Sequence, residues 1–162
     1  MTSEAAVRPA APGDVPAILA MIRELAEYEH LTHLCTATED QLAQELFGPR
    51  ANAEALIAVS AGAAVGYAIF FHNFSTFLGR KGLYLEDLYV RPSHRHRGCG
   101  RALFIAVARI AAERGCARFE WMALDWNAPA IDFYEKLGAQ QLGEWRLLRA
   151  TGDALSKLAA MR

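Results

Sequence analysis

A chain of 162 residues with 53% apolar and 22% charged side chains has the size and balance of one globular domain that can bury a sizeable core without staples. A formal net charge of −1 gives no global basic excess to argue for nucleic acid, and no stretch approaches the roughly 20 apolar residues of a membrane span. Cys35, Cys99 and Cys116 form no CxxC pair and indicate neither a disulfide framework nor a zinc site; with no signal-like apolar run between Met1 and Ala11, the expectation is a soluble cytoplasmic protein.

Ala6-Val7-Arg8 predicts a short first strand. Asp14 stands where a helix cap belongs, ahead of Val15, Ile18, Leu19, Ile22 and Leu25 at helical spacing, and that helix runs out at Glu27-Tyr28-Glu29-His30. Thr38 and Gln41 form a capping-box pattern for a second helix that reaches Phe47 and stops at Gly48-Pro49. Ala55 to Ser60 and Ala64 to Phe71 are β-rich runs joined through Ala61-Gly62, the pattern of a hairpin. His72 to Gly82 reads as a loop carrying Phe74 and Phe77, and Leu83 to Val90 as the next strand. Gly100 to Arg114 is helical, with Leu103, Val107, Ile110 and Ala111 on one face and Gly115 as its C-cap. Phe119 to Leu124 reads as a strand, Asn127 as the cap of a helix from Ala128 to Leu137, Trp145 to Arg149 as a last strand and Asp153 to Ala159 as a short helix. The order implies a mixed α/β sheet in a single domain spanning residues 1–162.

The passage from Leu85 to Leu103 carries the chemistry. Arg95-His96-Arg97-Gly98-Cys99-Gly100-Arg101 follows a strand and opens a helix. The first turn of a helix leaves N–H groups unpaired, and the dipole adds about half a positive charge there. Gly98 and Gly100 let a pyrophosphate approach the backbone, with Arg95, Arg97 and Arg101 alongside. Neither a Walker loop nor a dinucleotide fingerprint fits, because Arg101-Ala102 and Leu103 stand where those motifs need Lys-Ser/Thr and a third glycine. An ordinary strand-to-helix turn is the alternative. In the strand ahead, Glu86 and Asp87 interrupt an apolar run. Adjacent strand residues point to opposite faces, so at least one carboxylate should face a covered side. Burial without a partner would cost several kcal/mol, so the pair signals a functional site, a salt bridge to arginine, or a bulge that exposes both. Tyr134 shares a helical face with Ile131 and Leu137, which by pattern alone reads as core.

Val90-x-Pro92 followed by Arg95-x-x-Gly98-x-Gly100-x-x-Leu103 resembles the acetyl-CoA motif of the GNAT superfamily of N-acetyltransferases. Arg23-Glu24-Leu25-Ala26-Glu27-Tyr28-Glu29, Tyr84-Leu85-Glu86-Asp87-Leu88-Tyr89-Val90, Leu124-Asp125-Trp126-Asn127 and Phe133-Tyr134-x-x-Leu137-Gly138-Ala139 narrow the resemblance to the spermidine/spermine branch and its thialysine-acetylating relatives, from about Val7 to Leu158. The resemblance implies a GNAT fold, with a mixed central sheet of about six or seven strands flanked by helices, and a homodimer. It implies acetyl-CoA as co-substrate, with no metal. The amides of Arg95, His96, Arg97, Gly98, Cys99 and Gly100, with Arg101 beside them, would hold the pyrophosphate. The backbone of Leu88, Tyr89 and Val90 would pair with the pantetheine arm, and Asn127 and Tyr134 would also contact the cofactor.

The same resemblance implies transfer of acetyl to a primary amine of a small polyamine, diamine or lysine analogue. An alkyl ammonium has a pKa of about 10.4, so reaching the free amine near pH 7 costs roughly 4–5 kcal/mol. Glu86 is the candidate base, Asp87 the candidate binder of a second substrate charge, and Tyr28, Glu29 and Phe77 the remaining substrate-side residues. Tyr134 would assist departure of the thiolate as general acid. Two positions depart from the family's pattern. His96 stands where glycine is usual, so a positive φ there would carry strain. Ser75 stands where the polyamine enzymes carry an acid, which favours a shorter amine. The alternatives are a protein lysine or N-terminal acetyltransferase, a non-catalytic acyl-CoA-binding module, against which Glu86 and Tyr134 argue, and nucleic-acid binding through Arg91, Arg95, Arg97 and Arg101. His94 and His96 have no acidic or cysteine partner at metal spacing, and Cys99 is a candidate for oxidation rather than a nucleophile.

Overall fold

The computed structural model describes residues 5–161, so the outer ends of the expected 1–162 domain, including the start of the Met1 to Ala11 run, lie outside the described residues. The chain divides into two compact units that meet in sequence between Met122 and Ala123. The first holds a five-stranded sheet in the order β1 (Ala6–Pro9), β2 (Glu54–Ser60), β3 (Ala63–Ser75), β4 (Arg80–Val90) and β5 (Phe119–Trp121). Neighbours from β1 to β4 are antiparallel, and β5 runs parallel to β4.

Local chemistry accounts for most boundaries. Helix α1 (Val15–Tyr28) starts after Asp14, but that carboxylate does not cap it. It accepts from the Ala11 amide at 2.7 Å and from Arg8 at 2.7 and 2.9 Å, which fixes the turn ahead of the helix and holds its pKa below the usual range. Helix α2 (Glu39–Phe47) has the expected reciprocal cap: the Gln41 amide donates to Thr38 Oγ1 at 3.3 Å and the Thr38 amide to Gln41 Oε1 at 3.0 Å. The β2–β3 turn has positive φ at both Ala61 and Gly62, as a two-residue hairpin that follows strand twist requires.

Alternation along β3 separates the two faces. Tyr67 and Ile69 join Ile57, Tyr89, Ile18, Met21 and Leu46 in a core beneath α1 and α2. Gly66, one position away, lies under Leu103 of α3 (Cys99–Glu113), whose Phe104 ring meets Phe119 of β5 at 5.1 Å. A helix therefore covers each face of the sheet.

Three expectations are corrected. The stretch from His72 to Gly82 is mostly strand: Asn73 pairs with Gly82 and Ser75 with Arg80, leaving a short turn that Ser75 Oγ closes by accepting from the Leu78 amide. The strand expected over Phe119 to Leu124 keeps only Phe119–Trp121, because its ladder with β4 runs only from Leu83 to Leu85. Trp145 to Arg149 forms no strand; among the described residues the mixed sheet has five strands, near the approximate six or seven expected. A β-rich run without a partner strand has nothing to receive its N–H and C=O groups.

The second unit is described by itself. Helix α4 (Ala128–Lys136) follows Asn127 and ends at Gly138, whose φ of 96° suits glycine. Helix α5 (Gly152–Ala159) follows an irregular stretch.

Gly66 gives a direct test of the packing under α3. A Cβ there would lie 2.8 Å from the Tyr89 carbonyl oxygen and 3.2 Å from Leu103 Cδ1. Gly66→Ala is expected to destabilise the fold by about 1–3 kcal/mol in urea unfolding. A neutral substitution would show that the helix–sheet contact is loose.

Candidate functional site

The site begins with a defect in a ladder. Across β3 and β4, Ile69 pairs with Asp87 and Phe70 with Leu85, so Glu86 has no residue opposite it. A bulge of this kind bends its strand and increases the twist. The parallel ladder between β4 and β5 stops at Leu85 and Trp121, the residue before the bulge. From Asp87 to Val90, β4 therefore keeps its β3 partner but has no ladder with β5.

The bulge also separates the two acids. Glu86 is exposed, while Asp87 turns to the face that carries Tyr67, Ile69 and Tyr89 and is partly buried. The expectation that at least one carboxylate faces a covered side holds for Asp87. Burial pushes its pKa up to about 6. A hydrogen bond from Tyr67, 3.0 Å from hydroxyl to carboxylate, pulls the other way, and the charges of Glu86 and Glu29 add to the rise. Glu29, at the C-terminus of α1, is itself raised by burial. Glu29, Glu86 and Asp87 thus form one negative field over the end of α1 and the middle of β4.

A second network ties that helix end to the glycine loop. The Arg91 fork donates to Glu24 at 3.0 and 3.1 Å and to the Ala64 carbonyl at 3.0 Å, and the Tyr89 hydroxyl donates to Glu24 at 3.1 Å. Arg95 Nε donates to the Val90 carbonyl at 2.9 Å. Its guanidinium lies over the Tyr28 ring at 5.1 Å and the Tyr89 ring at 5.6 Å. The structure thus uses Arg95 as a strut between the loop and α1, whereas Arg97 and Arg101 are exposed.

The loop ahead of α3 turns left-handed at two positions, His96 and Gly98. Gly98 is the N-cap of α3 with φ of 83°, and a Cβ placed on it would meet nothing within 4 Å. The space around that Cβ position is open, so backbone approach at Gly98 is unobstructed and the residues present are compatible with a diphosphate there. Gly100 needs no special φ, and its added Cβ would reach only Val90 at 3.7 Å. His96 has φ of 58°, so the strain anticipated for a histidine is present. Cys99 is buried against the core. Among the described residues, no group of three or more His, Cys, Asp or Glu side chains could hold a metal.

In the second unit, Asn127 takes the N-cap position of α4 without a side-chain hydrogen bond to that helix. Tyr134 lies on α4 beside Phe133, ring centroids 5.1 Å apart, and burial raises its phenol to about 12.

Within the first unit the structure brings Tyr28, Glu29, Asp87, Tyr89 and Arg95 together, with Glu86 adding its charge. It does not bring Phe77 to them. Phe77 tips the β3–β4 hairpin, 97% exposed, and seven strand positions from Arg80 to Asp87 span about 23 Å. Tyr67 was missed by sequence reasoning. Its signal was a phenol inside an apolar strand, a group that needs a partner when buried.

The Acetyltransferase (GNAT) family profile matches residues 19–139. A thialysine N-epsilon-acetyltransferase of Sus scrofa is 38% identical over 94% of this chain and 96% of its own length. An L-ornithine N5-acetyltransferase of Arabidopsis thaliana is 35% identical over 94% of this chain and 86% of its own. Among solved structures, an integron cassette protein from the mobile metagenome of V. cholerae superposes with a TM-score of 0.81 at 26% identity, covering 98% of this chain and 99% of that one.

The environment of Asp87 gives stability a pH dependence. Folded, Asp87 holds its proton up to about pH 6; unfolded, it releases it near the ordinary value of about 3.9. Between those values the folded chain binds more protons, so the contribution is complete below the unfolded pKa and is lost as pH rises through the folded one. Asp87→Asn should therefore be more stable than the parent at pH 8, by roughly 2–3 kcal/mol, with the gap closing towards pH 4. Urea unfolding at both pH values measures it; a gap that does not change with pH would contradict the assignment.

Proposed function

The chain belongs to the acetyltransferase (GNAT) family, and from that premise we propose that it acetylates a primary amine of a small polyamine, diamine or thialysine-like lysine analogue by direct attack in a ternary complex with acetyl-CoA. The observation that supports the amine reading is Asp87, whose proton affinity is raised first by burial and further by the neighbouring charges of Glu86 and Glu29. An ammonium group would relieve that mutual repulsion, and a neutral or anionic substrate would gain nothing from it. The similarity to thialysine and ornithine acetyltransferases supports the same class.

Acetyl-CoA supplies an activated thioester. In this reading the amides from His96 to Gly100 bind its diphosphate, the Arg95 amide being held by the Pro92 carbonyl at 3.2 Å, and the β4 edge from Leu88 to Val90, which has no ladder with β5, takes the pantetheine arm in the manner of an added strand. Asn127 would contact that arm as well. Glu29 and Asp87 attract the ammonium form, and Tyr28 lines the approach. Glu86, exposed at the bulge, takes the amine proton directly or through water. The amine nitrogen then forms its bond to the acetyl carbon while the carbon–sulfur bond breaks. The electron pair leaves with sulfur, and Tyr134 donates a hydrogen bond or its proton to it. A phenol raised to about 12 is fully protonated at neutral pH, so donation of a hydrogen bond is its stronger contribution.

A homodimer and a cytoplasmic location complete the proposal. Phe77, 97% exposed in its own chain, would then take its substrate-side role at the site of the other subunit of the dimer. Among the described residues, no helix is long and apolar enough to cross a membrane.

A thiol-release assay with acetyl-CoA against thialysine, ornithine, lysine, diaminobutyrate, putrescine, spermidine and lysine-containing peptides tests the substrate class. Release is expected with the short diamines and lysine analogues; release with peptides alone would favour a protein acetyltransferase, and none with any amine would reject the reading. Tyr134→Phe should lower kcat about a hundredfold with far less effect on acetyl-CoA affinity, and unchanged turnover would remove Tyr134 from the mechanism.

A further inference from the structure

Tyr67 is wholly enclosed (0% exposed) in the core beneath α1, its ring 6.3 Å from that of Tyr89 directly across the ladder. Its one polar atom reaches out of that core, and Tyr67 Oη donates to Asp87 Oδ2 at 3.0 Å. Asp87 stands opposite Ile69, so Tyr67 is its diagonal neighbour on the same face. A buried carboxylate is usually met by lysine or arginine, which fixes it and cancels its charge. A phenol fixes it and leaves the charge in place. This distinction matters where a carboxylate must receive a cation from solution.

We propose that Tyr67 is a positioning residue that holds the Asp87 carboxylate, without neutralising it, in the orientation that receives the substrate's ammonium group. This rests on the amine-acetylating reading above and adds to it a determinant of amine affinity. The lock is rigid because the ring is gripped by core neighbours on all sides, so the donor cannot follow Asp87 elsewhere. The groups that bear on the carboxylate are Tyr67 from β3, Glu86 on its own strand and Glu29 from the end of α1. Tyr89 and its neighbour Arg95 stand one residue pair further along. Of the three groups that bear on it, Tyr67 alone favours the charged carboxylate; the two acids oppose it.

Tyr67→Phe keeps the ring and removes the donor. With thialysine as the varied substrate and ornithine as a second probe, KM for the amine should rise about tenfold or more, while kcat and the KM for acetyl-CoA change far less. Asp87→Asn alone should raise the amine KM as well, and adding Tyr67→Phe to it should bring no further increase. If Tyr67→Phe leaves the amine KM unmoved while Asp87→Asn raises it, the positioning role is wrong and the amine reading stands. If the unsubstituted protein releases no thiol with any amine, the parent reading fails first. A second measurement needs no variant. The ¹³Cζ resonance of Tyr67 in the intact protein should titrate with Asp87, near pH 6, and saturating thialysine should move that midpoint to lower pH. A midpoint that ignores the amine would overturn the proposal.

Discussion

The extra residue in β4 is the constraint from which the site follows. Glu86 has no partner across the β3–β4 ladder, and three features depend on that defect. The ladder to β5 ends one residue before it. Asp87 is turned onto the α1 face while Glu86 is left in solvent. The strand beyond it, to Val90, delivers the chain into the loop that opens α3 at Gly98. Without the bulge, period-two alternation would return Leu88 and Val90 to the opposite face and break the apolar surface on which α3 rests.

Around that defect the sheet separates two kinds of polar contact. Toward α1 the groups are acidic and only partly compensated: Asp87 accepts from Tyr67, while burial disfavours the charged form of Glu29 and raises its pKa. One pair along the ladder the charges are closed into ion pairs and ring contacts, with Arg91 on Glu24 and Arg95 over Tyr28 and Tyr89. Arg95 thus joins the glycine loop to the helix end that carries Tyr28 and Glu29, so the proposed cofactor and amine regions share a fixed wall. Its Nε–H donates to the Val90 carbonyl and its amide to the Pro92 carbonyl, so Arg95 works as a strut, and the amides from His96 to Gly100 are the proposed donors to a diphosphate.

Much of the fold was legible because its signals are local. Thr38 and Gln41 sit three residues apart and make the cap that spacing implies, and Ala61-Gly62 makes the turn. The positive φ at His96 was legible as a misfit between residue and motif. What stayed hidden depends on partners distant in sequence. No pattern within Leu83 to Val90 tells a regular strand from one whose register slips against β3. Tyr67 sits in a run of apolar residues that reads as core, and its hydroxyl acquires meaning only from a strand 20 residues on. Asp14 resembles a cap but answers to Arg8. Trp145 to Arg149 has the composition of a strand, but no neighbouring strand pairs with it among the described residues.

Amide hydrogen exchange with and without acetyl-CoA probes the bulge and the strand edge beyond it most directly. Added acetyl-CoA should slow exchange from Leu88 to Val90 and across Arg97 to Gly100, while Leu83 to Leu85, already laddered to β5, should not change. Protection confined to other segments, with the edge past Glu86 unaffected, would contradict the account.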